Sequence, residues 1–180
     1  ALMCRFQRPM AEVEALVCSR RLLGRMREVD GMRVREVGEW GRIQGAPVSP
    51  AFPMRLHAAE ADVVVIQTPN PTAEISVLFA RPNRVVVRYQ SDVIRQDRAM
   101  KLYRPLFERY LNRADAIIAS SSQYVDSSPY LQTRRGRCTV IPIGIAPESF
   151  SAPANGRVDE LRERYGGQFV FACGRHVYYK

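Results

Sequence analysis

The chain has 180 residues, 46% of them apolar, and a formal net charge of +9, which suits one domain with a sizeable core plus a piece of another and excludes a disordered chain. Lys101 and Lys180 are the only lysines, so arginine carries nearly all of the positive charge; it is spread along the chain without aromatic interleaving, which weighs against nucleic acid and leaves solvated faces, anionic headgroups or phosphorylated substrates. Cys4, Cys18, Cys138 and Cys173 form no Cys-x-x-Cys pair and have only His57 and His176 as soft companions, so no metal site is expected, and no apolar run approaches the ~18 residues of a membrane span.

In chain order, residues 13–18 read as a strand. Residues 32–37 alternate apolar and charged side chains and are predicted to form an edge strand. Residues 62–67 form a continuous apolar run, expected to be a fully buried strand. Asn70-Pro71 opens a helix, with a good cap followed by proline in the first turn. Residues 84–89 repeat the buried-strand pattern. Tyr103, Leu106, Phe107, Tyr110, Leu111 and Ala114 recur at helical spacing, and Pro105 predicts a kink or a fresh helix start near Arg104. Residues 116–119 and 139–141 are further strands. Residues 151–156 read as a linker, residues 158–165 as a short helix ended by Gly166-Gly167, and residues 169–173 as a last strand.

Strand alternating with helix is the pattern of an α/β protein with a doubly wound, Rossmann-like parallel sheet. Runs without alternation suit a sheet covered on both faces, with every strand running the same way. The polar segments after the strands then gather on one rim, where ligands bind in such folds: residues 67–70, 90–92, 120–123 and 144–146. Neither the Gly-x-Gly-x-x-Gly fingerprint nor the Walker loop nor a Gly-x-Ser-x-Gly elbow occurs, so hydride transfer, P-loop chemistry and hydrolase chemistry lose ground.

Six segments carry a resemblance. They are Asp62-Val63-Val64-Val65-Ile66-Gln67-Thr68-Pro69-Asn70-Pro71; Tyr89-Gln90-Ser91-Asp92 running to Gln96; Leu102-Tyr103-Arg104-Pro105-Leu106 with Arg113-Ala114-Asp115-Ala116; Ser122-Gln123-Tyr124; Val140-Ile141-Pro142-Ile143-Gly144; and Gly174-Arg175-His176 running to Lys180. In order and spacing they resemble the family 4, GT-B-type, retaining glycosyltransferases of bacterial polysaccharide and lipid-linked glycan assembly. The resemblance covers about Trp40 to Lys180. It implies two Rossmann-like domains with the reaction in the cleft between them: an N-terminal acceptor domain, here residues 1–150, and a donor domain that begins in residues 151–180. The chain then reads as truncated at both ends, with the family's first strand and glycine-rich loop lying before Ala1.

The same resemblance implies site residues. Arg175 and Lys180 match the basic pair that grips the donor diphosphate; two cations there offset charge that grows on the leaving group. Gln90-Ser91-Asp92 stands where relatives carry His-Ser-Asp, which makes Gln90 and Asp92 the catalytic candidates. Gln90 cannot take up a proton but can donate and accept hydrogen bonds, so it suits a sugar-hydroxyl ligand. Gln67 likewise stands where a histidine is common. Asp92 either bonds an acceptor hydroxyl, orients Arg95 or caps its own loop. Asn70, Ser91, Ser122 and Tyr124 are candidates to bind the acceptor, Asn70 mainly as a helix cap. Trp40 and His57 read as packing residues, and Asp115 as the start of a strand.

The implied activity is sugar transfer from a nucleotide-sugar co-substrate to a glycan or polyprenyl-linked acceptor. No metal and no resident cofactor are expected. The implied location is the cytoplasm, with docking at the anionic inner membrane face; nucleic acid is not an expected partner. The rival class is a non-catalytic, Rossmann-like binding domain, and the nearest enzymatic rival is a GT-B phosphorylase or synthase.

Overall fold

The computed structural model describes residues 10–43, 45–92, 97–144 and 156–166, with the backbone alone for residues 97–101 and 158. The chain divides into two compact units, Ala1–Ile143 and Gly144–Lys180.

The first unit opens with a three-stranded sheet. Strand β1 (Glu14–Ser19) pairs in parallel with β3 (Met32–Gly38), and β2 (Arg25–Val29) pairs antiparallel with the other side of β3. The 32–38 segment is therefore central, not an edge, and the strands do not all run the same way. Asp30 and Gly31 both hold positive φ, 51° and 72°, the geometry of a tight two-residue hairpin. The alternation along β3 is real: Met32, Val34 and Glu36 are buried. It reports a covered face, which a central strand can have as well as an edge strand. Glu36 survives burial because Arg25 and Arg27 each place Nε 2.7 Å from its carboxylate. At Gly38 a Cβ would collide with the Leu22 carbonyl oxygen, so glycine lets the β1–β2 connection lie on the end of β3.

A small antiparallel hairpin follows, β4 (Gly41–Ile43) with β5 (Ala46–Val48). Glu39 turns inward and binds Arg42 (Nε 2.9 Å, Nη2 3.1 Å). Trp40 beside it is 77% exposed, so it does not take the packing role predicted for it. Helix α1 (Phe52–His57) buries Phe52 and Leu56, while exposed His57 uses Nδ1 to reach the Ala80 carbonyl at 3.2 Å.

The rest of the unit is the expected wound sheet. Strands β6 (Val63–Thr68), β7 (Arg84–Tyr89), β8 (Ala116–Ala119) and β9 (Cys138–Val140) lie side by side, all parallel. Helix α2 (Pro71–Ala80) joins β6 to β7, and α3 (Asp97–Arg113) precedes β8. Between β8 and β9 come α4 (Ser122–Ser127), α5 (Pro129–Gln132) and a short 3-10 turn. Asp115 ends the α3–β8 connection by accepting from the Val85 amide at 2.7 Å. Helix α3 runs through Pro105 without a break; the exposed proline sits off the apolar stripe, so the missing donor falls on the solvent side.

One sheet face carries the core. Val64, Ile66, Val85, Val87, Tyr89, Ile117 and Ala119 are buried against Val77, Phe107, Tyr110 and Leu111 of the helices. Phe107 is ringed by aromatics, with centroids 6.3 Å from Tyr89, 6.1 Å from Tyr110 and 5.1 Å edge-on from Tyr130. On the opposite face Val86, Arg88, Ala116 and Ile118 are half-buried, and β6 is less covered. Val63 and Val65 are 46% and 45% exposed, so β6 is not the doubly covered strand its valine run suggests. A continuous apolar run admits burial on either side, and the run alone does not say how many sides are covered.

In the second unit, α6 (Arg157–Tyr165) forms where a short helix is predicted and stops at Gly166, whose φ is +81°. The predicted strand at 169–173, the linker before Gly156, and Arg175 and Lys180 lie outside the described residues.

Candidate functional site

Because β6, β7 and β8 are parallel, their carboxyl ends share one edge, and the loops that leave them bring together most of the candidate residues. Thr68 closes β6. It is fully buried, and its Oγ1 is 2.8 Å from the Tyr110 hydroxyl. Pro69 follows through a cis peptide bond. Asn70 then caps α2, as predicted: its Oδ1 accepts from the Ala73 amide at 3.3 Å.

Glu74, one turn further, reaches back. Its Oε1 accepts from the Asn70 amide at 2.7 Å, and its Oε2 from the Tyr103 hydroxyl at 2.6 Å. Burial pushes this carboxyl above its ordinary value, and the hydrogen bonds from Tyr103, the Asn70 amide and Thr68 offset that only in part. The rim at Asn70 is thus anchored by a buried polar network spanning β6, α2 and α3. Glu74 was not among the sequence candidates. A capping-box glutamate stands three residues after its cap, whereas Glu74 stands four after Asn70, so no local spacing marks it.

At the end of β7 the Gln90 amide donates to the Thr68 carbonyl at 3.0 Å. Its side-chain Oε1 accepts from Gln67 Nε2, also at 3.0 Å. Both side chains are exposed on the rim. The bond leaves the Gln90 amide nitrogen as a donor and the Gln67 oxygen as an acceptor toward solvent. Gln67 therefore joins the site as the partner of Gln90. Neither amide titrates, so this pair offers hydrogen bonds to hydroxyls and takes up no proton.

Ser91 is exposed between Gln90 and Asp92. Asp92 turns inward. Its Oδ1 accepts from the Tyr89 hydroxyl at 2.6 Å and from Ser128 Oγ at 2.8 Å. Burial, and then the bond to the Asp92 carboxylate, drive the Tyr89 hydroxyl far above its usual range. Asp92 thereby ties the β7 loop to the α4–α5 junction. Arg95, its other suggested partner, lies outside the described residues.

Ser122 is the exposed first residue of α4, but the cap is Ser121, whose Oγ accepts from the Tyr124 amide at 3.1 Å. Tyr124 faces inward: its ring lies 6.0 Å from that of Tyr89 and its hydroxyl is buried. Burial, and then the Asp92 charge, push that hydroxyl up to about 12. It supports the Asp92 loop from behind, while Gln67, Gln90, Ser91 and Ser122 stand at the surface.

Residues 1–144 match the family described as the glycosyl transferase 4-like domain. The chain belongs to this family. Two curated relatives are named as glycosyltransferases. The chain is 39% identical over 124 residues to D-rhamnosyltransferase WbpZ of Pseudomonas aeruginosa, a match covering 68% of this chain and 32% of the relative. It is 40% identical over 120 residues to O-antigen chain mannosyltransferase C of Escherichia coli, covering 66% and 32%. The alignments thus take in about a third of each relative's length. The wound sheet and its rim are those of a Rossmann-like, GT-B N-terminal domain, as the sequence resemblance implies.

Proposed function

We propose that the complete protein moves a sugar from a nucleotide-sugar donor to a glycan or polyprenyl-diphosphate-linked acceptor on the cytoplasmic side of the membrane, with retention at the anomeric carbon. Residues 1–143 form the acceptor side. The observation that carries this reading is the Gln67–Gln90 pair on the rim of a glycosyltransferase domain. The names of the two relatives, a rhamnosyl- and a mannosyltransferase, support a manno-configured sugar.

The acceptor oxygen forms its bond to the anomeric carbon as the bond to the donor diphosphate breaks. The rim amides cannot accept the hydroxyl proton, so it passes to the departing diphosphate oxygen. Gln90 donates to a hydroxyl of the sugar in transit, held in orientation by Gln67. Ser91, Asn70 and Ser122 offer hydroxyl and amide groups to the acceptor, while Asp92 and Tyr124 fix the loop that carries Gln90. Arg175 and Lys180 neutralise the leaving diphosphate, the task a metal performs in other transferases.

A panel of nucleotide sugars offered to the complete protein tests this. Transfer of one manno-configured sugar with the anomeric configuration kept, unaffected by a chelator, is the expected result. Arg175→Ala should lower kcat/KM by about 2–4 kcal/mol of transition-state stabilisation. An inverted product, or turnover indifferent to that substitution, contradicts the assignment.

A further inference from the structure

Trp40 is the single tryptophan of these 180 residues, and its side chain stands in water. Its backbone is nonetheless held on both sides. The Glu39 amide donates to the Ser19 carbonyl at 3.0 Å, and the Trp40 amide to the Val48 carbonyl at 2.9 Å. Ser49 Oγ donates to the Gly38 carbonyl at 2.7 Å. Glu39 turns inward onto Arg42, so its neighbour Trp40 is carried to the other side, toward solvent. Among the described residues the ring makes no aromatic or cation contact, and the indole N–H no hydrogen bond. Tryptophan is among the most buried side chains on average, so one presented to water on a pinned backbone calls for a ligand.

The hairpin that follows Trp40 is docked at the rim. Arg42 pairs with Pro47 across the β4–β5 ladder, and Thr72 Oγ1 donates to the Pro47 carbonyl from the first turn of α2. Asn70 caps that same turn. No hydrogen bond links the hairpin to Gln67 or Gln90 among the described residues. Trp40 is therefore fixed beside the rim without belonging to the amide pair.

The chemistry beside the ring selects the ligand. Arg42 is the only cation in residues 39–48. Its Nε and Nη2 are engaged by Glu39, and its Nη1 by the Gly45 carbonyl at 3.4 Å. The ring thus stands on a locally neutral surface, which offers little to a phosphate or a nucleic acid. A sugar ring suits it. The C–H face of a pyranose is apolar and slightly positive, which the negative face of indole attracts, and the indole N–H can donate to a sugar hydroxyl. We propose that Trp40 is a stacking platform for a sugar of the glycan acceptor, a subsite apart from the Gln67–Gln90 pair. One sugar rests on Trp40 while another presents its hydroxyl at the amide pair, so the subsite favours acceptors already several sugars long. The proposal deepens the transfer to a glycan acceptor and rests on that reading.

The test uses the full-length protein, with mannotetraose and methyl mannoside as probes of acceptor binding. Mannotetraose should change the Trp40 fluorescence, read as the difference between the natural protein and Trp40→Phe, and methyl mannoside at the same concentration should not. By calorimetry, Trp40→Ala should weaken mannotetraose binding about tenfold, and Trp40→Phe about threefold, since a smaller ring stacks less. In transfer assays Trp40→Ala should raise KM for mannotetraose about tenfold with kcat kept. Its urea midpoint should not move, because the ring is exposed. Mannotetraose bound equally by the natural protein and Trp40→Ala, or bound by neither, overturns the proposal. So does a Trp40 fluorescence change caused by phosphatidylglycerol vesicles and not by mannotetraose, which would make the residue a lipid contact. So does a lowered urea midpoint that accounts for the lost binding, which would make its role structural. A protein that binds mannotetraose through Trp40 and transfers no sugar counts against the activity reading and leaves the platform standing.

Discussion

Gln67 and Gln90, twenty-three residues apart, meet at 3.0 Å across the carboxyl ends of two parallel strands. The strand register permits this: Gln67 pairs with Arg88, so Gln90, two residues further along β7, leaves on the same side as Gln67 one diagonal step away. Each amide fixes which end the other presents. If they act as one unit, Gln67→Ala and Gln90→Ala should not add. Each single variant should lower kcat/KM by about 1–2 kcal/mol, and the double variant should lose little more than Gln90→Ala alone. Additive losses in the double-mutant cycle would mean that Gln67 acts independently.

Glu74 should leave a signature in the pH dependence of stability. Burial holds its carboxyl above 4.5, so the folded protein keeps that proton to higher pH than the unfolded chain. The contribution is full below about pH 4.5 and is lost as pH rises through the folded value. Glu74→Gln keeps an acceptor for the Asn70 amide and cannot ionise. From about pH 4 to about pH 7 the stability of the natural protein should therefore fall relative to the Gln variant, measured by urea denaturation. A relative rise would show that the carboxylate, not the acid, is the form favoured by folding.

Asp92 is held by two buried hydroxyls, those of Tyr89 and Ser128. Tyr89→Phe keeps the ring against Phe107 and Tyr124 and removes the hydroxyl that bonds the carboxylate. The expected cost is about 1–2 kcal/mol in unfolding free energy. Amide exchange should quicken in the Gln90–Asp92 loop more than in β6. No change in the loop would mean that Ser128 alone fixes Asp92.

The positions of β6 and β7 (though not the burial of β6 on both faces), the Asn70-Pro71 cap and the aromatic stripe of α3 are legible because each follows a local rule that the tertiary structure obeys. The β1–β3 sheet is not. Its middle strand looks like an edge because an alternating pattern records one covered face and says nothing of neighbours in the sheet. The hairpin partner β2, Arg-Met-Arg-Glu-Val, hides among charges, and only Asp30-Gly31 betrays it. The rim residues were found from their place after the strands, since chain order alone puts them on one edge. What they touch was not: the inward turn of Asp92 and Tyr124 depends on Ser128 and Tyr89, far from them in pattern though near in space. The reach of Glu74 to Tyr103 is a packing outcome that no local spacing encodes.

The most direct test of the central claim, that sugar transfer takes place at this rim, is the steady-state turnover of Gln90→Ala in the complete protein, measured beside the affinity of the same variant for the nucleoside diphosphate alone. The account predicts a fall in kcat/KM of about tenfold or more, one charge-neutral hydrogen bond in the transition state, with nucleoside diphosphate affinity unchanged. Unaltered turnover, or a loss explained entirely by weaker nucleotide binding, would contradict it.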